Sequence, residues 1–166
     1  METAIARTDT EVRGVRADVK EVIFQSQHTQ DINTLLEQLD RLCQYNIYIQ
    51  EEESKLNGLL VDAKQTINTA KESVKVNEAE TALRLNSPSG GSIAMNKAEK
   101  LAFLESKPLR EEVRMCEEAW IEVQKDYNDV KGFKNALGEY IMTIRQKIKA
   151  IQIESGVYPH RNEAVN

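Results

Sequence analysis

Two long runs of apolar residues, spaced alternately three and four apart, constrain this chain more than any other feature. The first run begins at Ile32 and ends at Asn77, and the second begins at Leu109 and ends at Ile151. An apolar period of 3.5 residues held over this length is typical of a helix packed along a partner helix. A short glycine- and serine-rich break at 86–94 separates the runs. We therefore predict two long helices that fold back on each other.

The predicted fold class is all-α: a long antiparallel helical hairpin, or coiled coil, with a short N-terminal helix. An amphipathic pattern between Val12 and Phe24 predicts that short helix. Asp31 is a favourable N-cap for the first long helix. Pro108 either kinks the second long helix or begins a new one at Lys107. The predicted segments are an N-terminal segment at 1–30, the hairpin at 31–156 with its turn at 86–94, and a disordered tail at 157–166.

Polar residues that interrupt the apolar runs predict how the two helices align. An antiparallel hairpin that pivots at Gly90 places Asn46 opposite Lys134, with Glu53 about one heptad away. A polar residue in an apolar seam lowers stability but specifies alignment. We therefore interpret these three interruptions as a device that sets the register.

The chain carries more apolar surface than a two-helix seam can bury. A wider apolar stripe indicates a third helix or another subunit. The short N-terminal helix covers about 18 Å of a rod roughly 80 Å long, so we expect homo-oligomerisation. The residues predicted to form the oligomer interface are Leu36, Ile47, Leu59, Phe133 and Tyr140.

The sequence contains no recognisable catalytic, phosphate-binding or metal-binding motif. His28 and His160 do not stand at metal-ligand spacing from a cysteine or from each other, and there is no phosphate-binding loop or nucleophile elbow. We therefore expect no enzyme, no metal and no cofactor. Cys43 and Cys116 lie on or beside the apolar runs, which favours buried free thiols in a reducing compartment.

Targeting signals are equally sparse. No stretch of eighteen apolar residues occurs, and the first residues lack a basic region followed by an apolar one. We expect a cytoplasmic protein without a membrane partner. The net charge of −5 argues against a protein that binds nucleic acid with its whole surface.

Basic residues nevertheless cluster near the end of the second apolar run, with Phe133 and Tyr140 between them. Cations that contact phosphates, beside aromatic rings that stack on bases, are typical of single-strand binding. Cations near a helix C-terminus also complement the helix dipole, so both interpretations stay open. The clustered cations are Lys131, Lys134, Arg145, Lys147 and Lys149.

The C-terminal third of the chain carries a recognisable order of residues. It ends with Ala136-Leu137, Ile141, Ile144-Arg145, Ile148-Lys149, Ile151-Gln152 and Glu154-Ser155-Gly156, after a lysine-rich entry at 97–104. This order resembles the UvsY-type recombination mediators of tailed phages, and a phage-encoded chain would act in the cytoplasm of the host cell. The resemblance implies a small helical protein that forms rings, binds single-stranded DNA and helps to load a recombinase onto strands coated by a single-strand-binding protein. It also implies that Lys97 and Lys100 face DNA together with the clustered cations.

Three functions follow as predictions. The first is a non-enzymatic, oligomeric helical assembly protein that acts as a recombination mediator on single-stranded DNA. The alternative is a structural coiled-coil scaffold, tether or virion subunit that binds protein partners only. A hairpin that holds an apolar client, as a chaperone does, is a third option.

Overall fold

The computed structural model describes residues 2–85 and 95–156, with side chains over 12–85 and 97–156. These residues form four α-helices and no strand, which confirms the all-α class. The helices are α1 (Glu2–His28), α2 (Ile32–Leu85), α3 (Met95–Glu105) and α4 (Lys107–Glu154). Over that part of the chain, none of the helices has the length and apolar content needed to cross a membrane. The predicted turn at 86–94 and the predicted tail at 157–166 lie outside the described residues.

The chain divides into two compact units. Unit 1 comprises Met1–Lys55 and Asp126–Asn166, and unit 2 comprises Leu56–Lys125. The helices α2 and α4 each contribute a segment to both units, α1 belongs to unit 1, and α3 belongs to unit 2.

The ends of the helices follow from local chemistry. The backbone N–H of Thr34 donates to Asp31 Oδ2 at 2.8 Å, which confirms Asp31 as the N-cap of α2. The Thr34 hydroxyl also donates to this carboxylate at 2.5 Å, and these bonds hold the pKa of Asp31 below its usual range. A new helix does begin at Lys107, so Pro108 occupies a first-turn position that needs no N–H donor.

Helix α1 is longer than the pattern between Val12 and Phe24 predicts. It continues to His28, although Ser26 occupies a position where the apolar spacing calls for an apolar side chain. The Ser26 hydroxyl donates to the Ile23 carbonyl at 2.7 Å and is buried. Because the hydroxyl is satisfied within its own helix, this polar side chain can be buried without ending α1.

Unit 1 is built around an apolar core shared by α1, α2 and α4. Side chains that are almost fully buried face one another from the three helices. The buried members of this core are Val19, Val22, Leu35, Leu42, Leu137, Ile141, Ile144 and Ile148. The apolar runs read from the sequence therefore form the core in this unit, with α1 as the third helix.

The register of α2 against α4 in unit 1 differs from the predicted one. The Lys134 ammonium pairs with the carboxylate of Glu53, so Glu53, rather than Asn46, lies across from Lys134. A heptad pattern looks the same after a shift of seven residues, and the apolar spacing alone does not distinguish the two alignments. The charged pair does, because it removes two unpaired charges from the seam.

Within unit 2, α2 and α4 are also antiparallel. Lys71 pairs with Glu117 at 2.7 Å, and Glu78, later in α2, pairs with Arg110, earlier in α4, at 2.5 Å. Helix α3 contributes the buried side chains of Ala98 and Ala102. Small residues at these positions let α3 pack closely.

Candidate interaction surface

Two of the predicted DNA-binding cations are used inside unit 1. Lys134 is paired with Glu53. The Lys147 ammonium donates to the carbonyl oxygens of Ser26 at 2.8 Å and of Gln27 at 3.2 Å. These carbonyls belong to the last turn of α1, where backbone acceptors lack helical partners. Lys147 therefore caps the C-terminus of α1. The dipole interpretation had instead expected it to complement the C-terminus of its own helix, α4.

The other predicted cations lie on the surface. Arg145 and Lys149 are exposed on α4 in unit 1. The Lys131 ammonium lies 5.5 Å from the centre of the Tyr127 ring. Lys97 and Lys100 are exposed on α3, which belongs to unit 2. Of the predicted cations in unit 1, Lys131, Arg145 and Lys149 are thus the ones exposed to a ligand.

The residues predicted for an oligomer interface divide into two groups. Leu36, Ile47 and Tyr140 are exposed in unit 1, with 46%, 59% and 43% of their surfaces accessible. Phe133 instead packs against the core of unit 1, and Leu59 is half-buried in unit 2. Three of the five side chains are therefore available to a partner.

One side of the α2–α4 pair in unit 1 is occupied by α1. The Arg16 guanidinium lies 5.0 Å from the centre of the Phe133 ring and donates to Asp129 Oδ2 at 2.5 Å. On α2, the Tyr45 hydroxyl donates to Asp18 of α1 at 3.4 Å. Sequence reasoning missed Arg16, because nothing in the pattern marks it as different from other basic residues of α1.

Among the residues of unit 1 that the structure describes, no helix lies on the opposite side of the same pair. Successive residues turn by about 100° around a helix, so Ile47 points roughly opposite to Tyr45, and Met142 roughly opposite to Phe133. We call this side the open face. Its exposed side chains include Leu36, Asp40 and Ile47 from α2, and Met142, Lys149 and Ile153 from α4.

A groove of about 600 Å³ runs along the open face. Seven of its nine lining residues have polar side chains, and Gly138 contributes no side chain to fill it. Its lining residues are Asn46, Gln50, Lys134, Asn135, Gly138, Glu139, Met142, Thr143 and Gln146.

Only one residue of the acidic triplet Glu51-Glu52-Glu53 is exposed to solvent. Glu51 is exposed, but Glu52 is only 2% accessible and accepts a hydrogen bond from Lys55. Glu53 is the partner of Lys134. The sequence analysis placed Glu53 in the apolar seam but did not predict the burial of Glu52, the residue before it.

Unit 2 contains a separate polar cluster around Glu78. The Ser106 hydroxyl donates to Glu78 Oε1 at 2.7 Å, and Arg110 Nε donates to the same oxygen at 3.0 Å. These two donors hold the pKa of Glu78 below its usual range. The Arg110 guanidinium also lies 4.1 Å from the centre of the Phe103 ring. The cluster joins α2 to the junction of α3 and α4.

The described side chains form no metal-binding cluster. Within 12–85 and 97–156, no three His, Cys, Asp or Glu side chains come together in a way that could hold a metal ion. Cys43 and Cys116 are both free thiols, and each is half-buried.

Comparison with known proteins adds no family to this description. No family model matches the chain, and no curated protein or solved structure is significantly similar to it.

Proposed function

We propose that this protein is a non-enzymatic helical assembly protein of the cytoplasm, whose long helices pack against helices of protein partners, including further copies of the chain. The observation that carries the proposal is the apolar content of the open face in unit 1. Leu36 and Ile47 are exposed on α2, and Met142 and Ile153 are exposed on α4. Each pair is separated by eleven residues, which is close to three helical turns, so its members share one side of their helix.

Such side chains favour association because water is released when they are covered. Burying one Leu, Ile or Met side chain contributes about 1.5–3 kcal/mol, and contiguous exposed apolar patches mark interaction sites in proteins. The open face offers four of these side chains, two on each helix. A helix of a partner, which carries its own apolar stripe, has the shape and chemistry to cover them.

Sedimentation of the wild-type chain and of Ile47→Lys tests this proposal. We expect the wild-type chain to associate at micromolar concentration and Ile47→Lys to shift the equilibrium towards the 18.9 kDa monomer. Met115→Lys in unit 2 is the matched control, since Met115 is as exposed as Ile47 and its spacing of 27 residues from Met142 places it on the other side of α4. A wild-type chain that stays monomeric at every concentration would contradict the proposal.

A second candidate is an accessory role on single-stranded DNA, as in a recombination mediator that contacts a recombinase or a single-strand-binding protein. Exposed Lys131, Arg145 and Lys149 in unit 1 support it, because their spacing places them on one side of α4. Tyr140 is also exposed, but it is nine residues from both lysines and points to the other side of the helix. Cations along one side supply the phosphate contacts that single-strand binding requires. The resemblance of the C-terminal third to UvsY-type mediators supports the same candidate.

Fluorescence anisotropy with labelled single-stranded DNA separates the two candidates. A mediator binds at low salt, and its affinity falls as salt rises, because each phosphate contact releases counterions. The variant Arg145→Ala/Lys149→Ala should weaken that binding, whereas Lys64→Ala/Lys75→Ala, two exposed lysines of unit 2, should not. Absence of binding at about 50 mM salt would remove this candidate and leave the assembly function untouched.

A further inference from the structure

We propose that the open face of unit 1 binds the open face of a second copy, about a two-fold axis parallel to α2 and α4. The inference rests on the proposed assembly function and specifies its partner and surface. It follows from the order of the apolar and charged side chains along α2 and α4 on this face.

The side chains of the open face lie at matching levels on α2 and α4. The pair formed by Glu53 and Lys134 fixes which residues share a level in unit 1. Counting away from that pair in the antiparallel sense brings three residues of α2 to within about one helical turn of three residues of α4. The matched levels are Leu36 with Ile153, Asp40 with Lys149, and Ile47 with Met142.

A two-fold axis along the helices converts this order into a complementary contact. The rotation keeps every residue at its level and places α2 of one copy against α4 of the other. Leu36 then meets the partner's Ile153, Ile47 meets the partner's Met142, and Asp40 meets the partner's Lys149. Every contact is made twice, because the interface is isologous.

Charge selects this axis over the other face-to-face arrangement. A two-fold axis across the helices would place α4 against α4 and bring the exposed cations Arg145 and Lys149 towards their own copies. It would also place α2, with exposed Glu37, Asp40 and Glu51, against another α2. Like charges facing each other oppose association, whereas the axis along the helices pairs opposite charges.

Asp40 and Lys149 can each form an ion pair with a second copy. Asp40 accepts one side-chain hydrogen bond, from Gln44 at 2.8 Å. Within residues 12–85 and 97–156, Lys149 forms no ion pair. A second copy supplies to each of them a charge of the opposite sign beside an apolar contact.

Charge reversal at these two positions tests the proposal. We expect Asp40→Lys alone and Lys149→Glu alone to raise the dissociation constant of the wild-type assembly at least about tenfold, because each puts like charges face to face twice. An equimolar mixture of the two single variants should associate like the wild-type chain, since both cross-pairs are then opposite in charge. The matched controls Asp62→Lys and Lys75→Glu, exposed in unit 2, should leave the dissociation constant unchanged.

A cross-linking experiment tests the same contact without reversing any charge. In a chain with Cys43 and Cys116 replaced by Ala, copies carrying Asp40→Cys are mixed with copies carrying Lys149→Cys and oxidised. We expect disulfide-linked heterodimers from the mixture and few links from either variant alone.

The outcomes separate this inference from the proposed function. If the wild-type chain associates but the single variants match the controls, or if the mixture is not rescued and forms no heterodimer link, the two-fold contact is wrong while the assembly function stands. If the wild-type chain is monomeric throughout, both are wrong.

Discussion

The pair formed by Glu53 and Lys134 predicts an asymmetric response to mutation. The Glu53 side chain is 13% accessible, and that of Lys134 is 30% accessible. Lys134→Met leaves a carboxylate that is largely shielded from water, whereas Glu53→Gln leaves an ammonium on a flexible four-carbon stem that can turn towards water. We therefore expect Lys134→Met to destabilise the protein more than Glu53→Gln does.

The magnitudes follow from the degree of burial. Removing one partner of a fully buried pair costs about 3–5 kcal/mol, and exposed pairs are worth about 0.2–1 kcal/mol. The present pair lies between these limits. We expect about 2 kcal/mol for Lys134→Met, about 1 kcal/mol for Glu53→Gln, and a double variant less destabilised than the sum of the two.

Urea unfolding followed by circular dichroism measures these free energies as a double-mutant cycle. The matched control is the pair formed by Lys71 and Glu117, whose side chains are 50% and 45% accessible, and whose coupling should be below about 0.5 kcal/mol. Equal costs for Lys134→Met and Glu53→Gln, or a coupling no larger than that of the control pair, would refute the reasoning.

Three further outcomes are expected. In urea titrations, Leu42→Ala, at a fully buried position, should lower the free energy of unfolding by about 3–5 kcal/mol. Leu36→Ala, at an exposed position, should lower it by less than about 0.5 kcal/mol. Similar losses for the two variants would contradict the core assignment. Because its hydrogen bonds lower the pKa of Glu78 in the folded state, that carboxylate stabilises the protein above the ordinary Glu pKa of about 4.3. This contribution should be lost as the pH falls through the lowered pKa, so Glu78→Gln should reduce the loss of unfolding free energy at acidic pH. The same acid-dependent loss in Glu78→Gln and the wild-type chain would contradict this role of Glu78. Lys147→Met should speed amide hydrogen exchange in the last turn of α1, and unaltered exchange there would contradict its capping role.

Much of the helical framework was predictable from the sequence. A long apolar period, Asp31 at an N-cap position and Pro108 in a first turn are local signals, and each acts within a few residues of where it is read. The structure accordingly confirms the start of α2 and of α4 close to where these signals place them.

The features that could not be predicted depend on which helices become neighbours. The alignment that pairs Glu53 with Lys134 differs by one heptad from the predicted one, because heptad spacing is unchanged by such a shift. Whether Lys147 faced solvent or another helix depended on where α1 ends, and α1 ends later than its apolar pattern indicates. Of the predicted site, the structure leaves Arg145 and Lys149 exposed and assigns Lys134 and Lys147 to contacts within unit 1.

The alignment of α2 with α4 in unit 1 underlies the core, the open face and the proposed pairing of two copies, and spin-label distances test it most directly. The labelled chain lacks Cys43 and Cys116 and carries one label at Asn135 and a second at either Ser54 or Ile47, three exposed positions. Each doubly labelled protein is diluted with unlabelled protein so that only distances within one chain are measured. The two α2 positions differ by one heptad, or about 10 Å along the helix. We predict that the label on Ser54 is nearer to the one on Asn135 than the label on Ile47 is. The reverse order would show that Lys134 lies opposite Asn46 and would contradict the account.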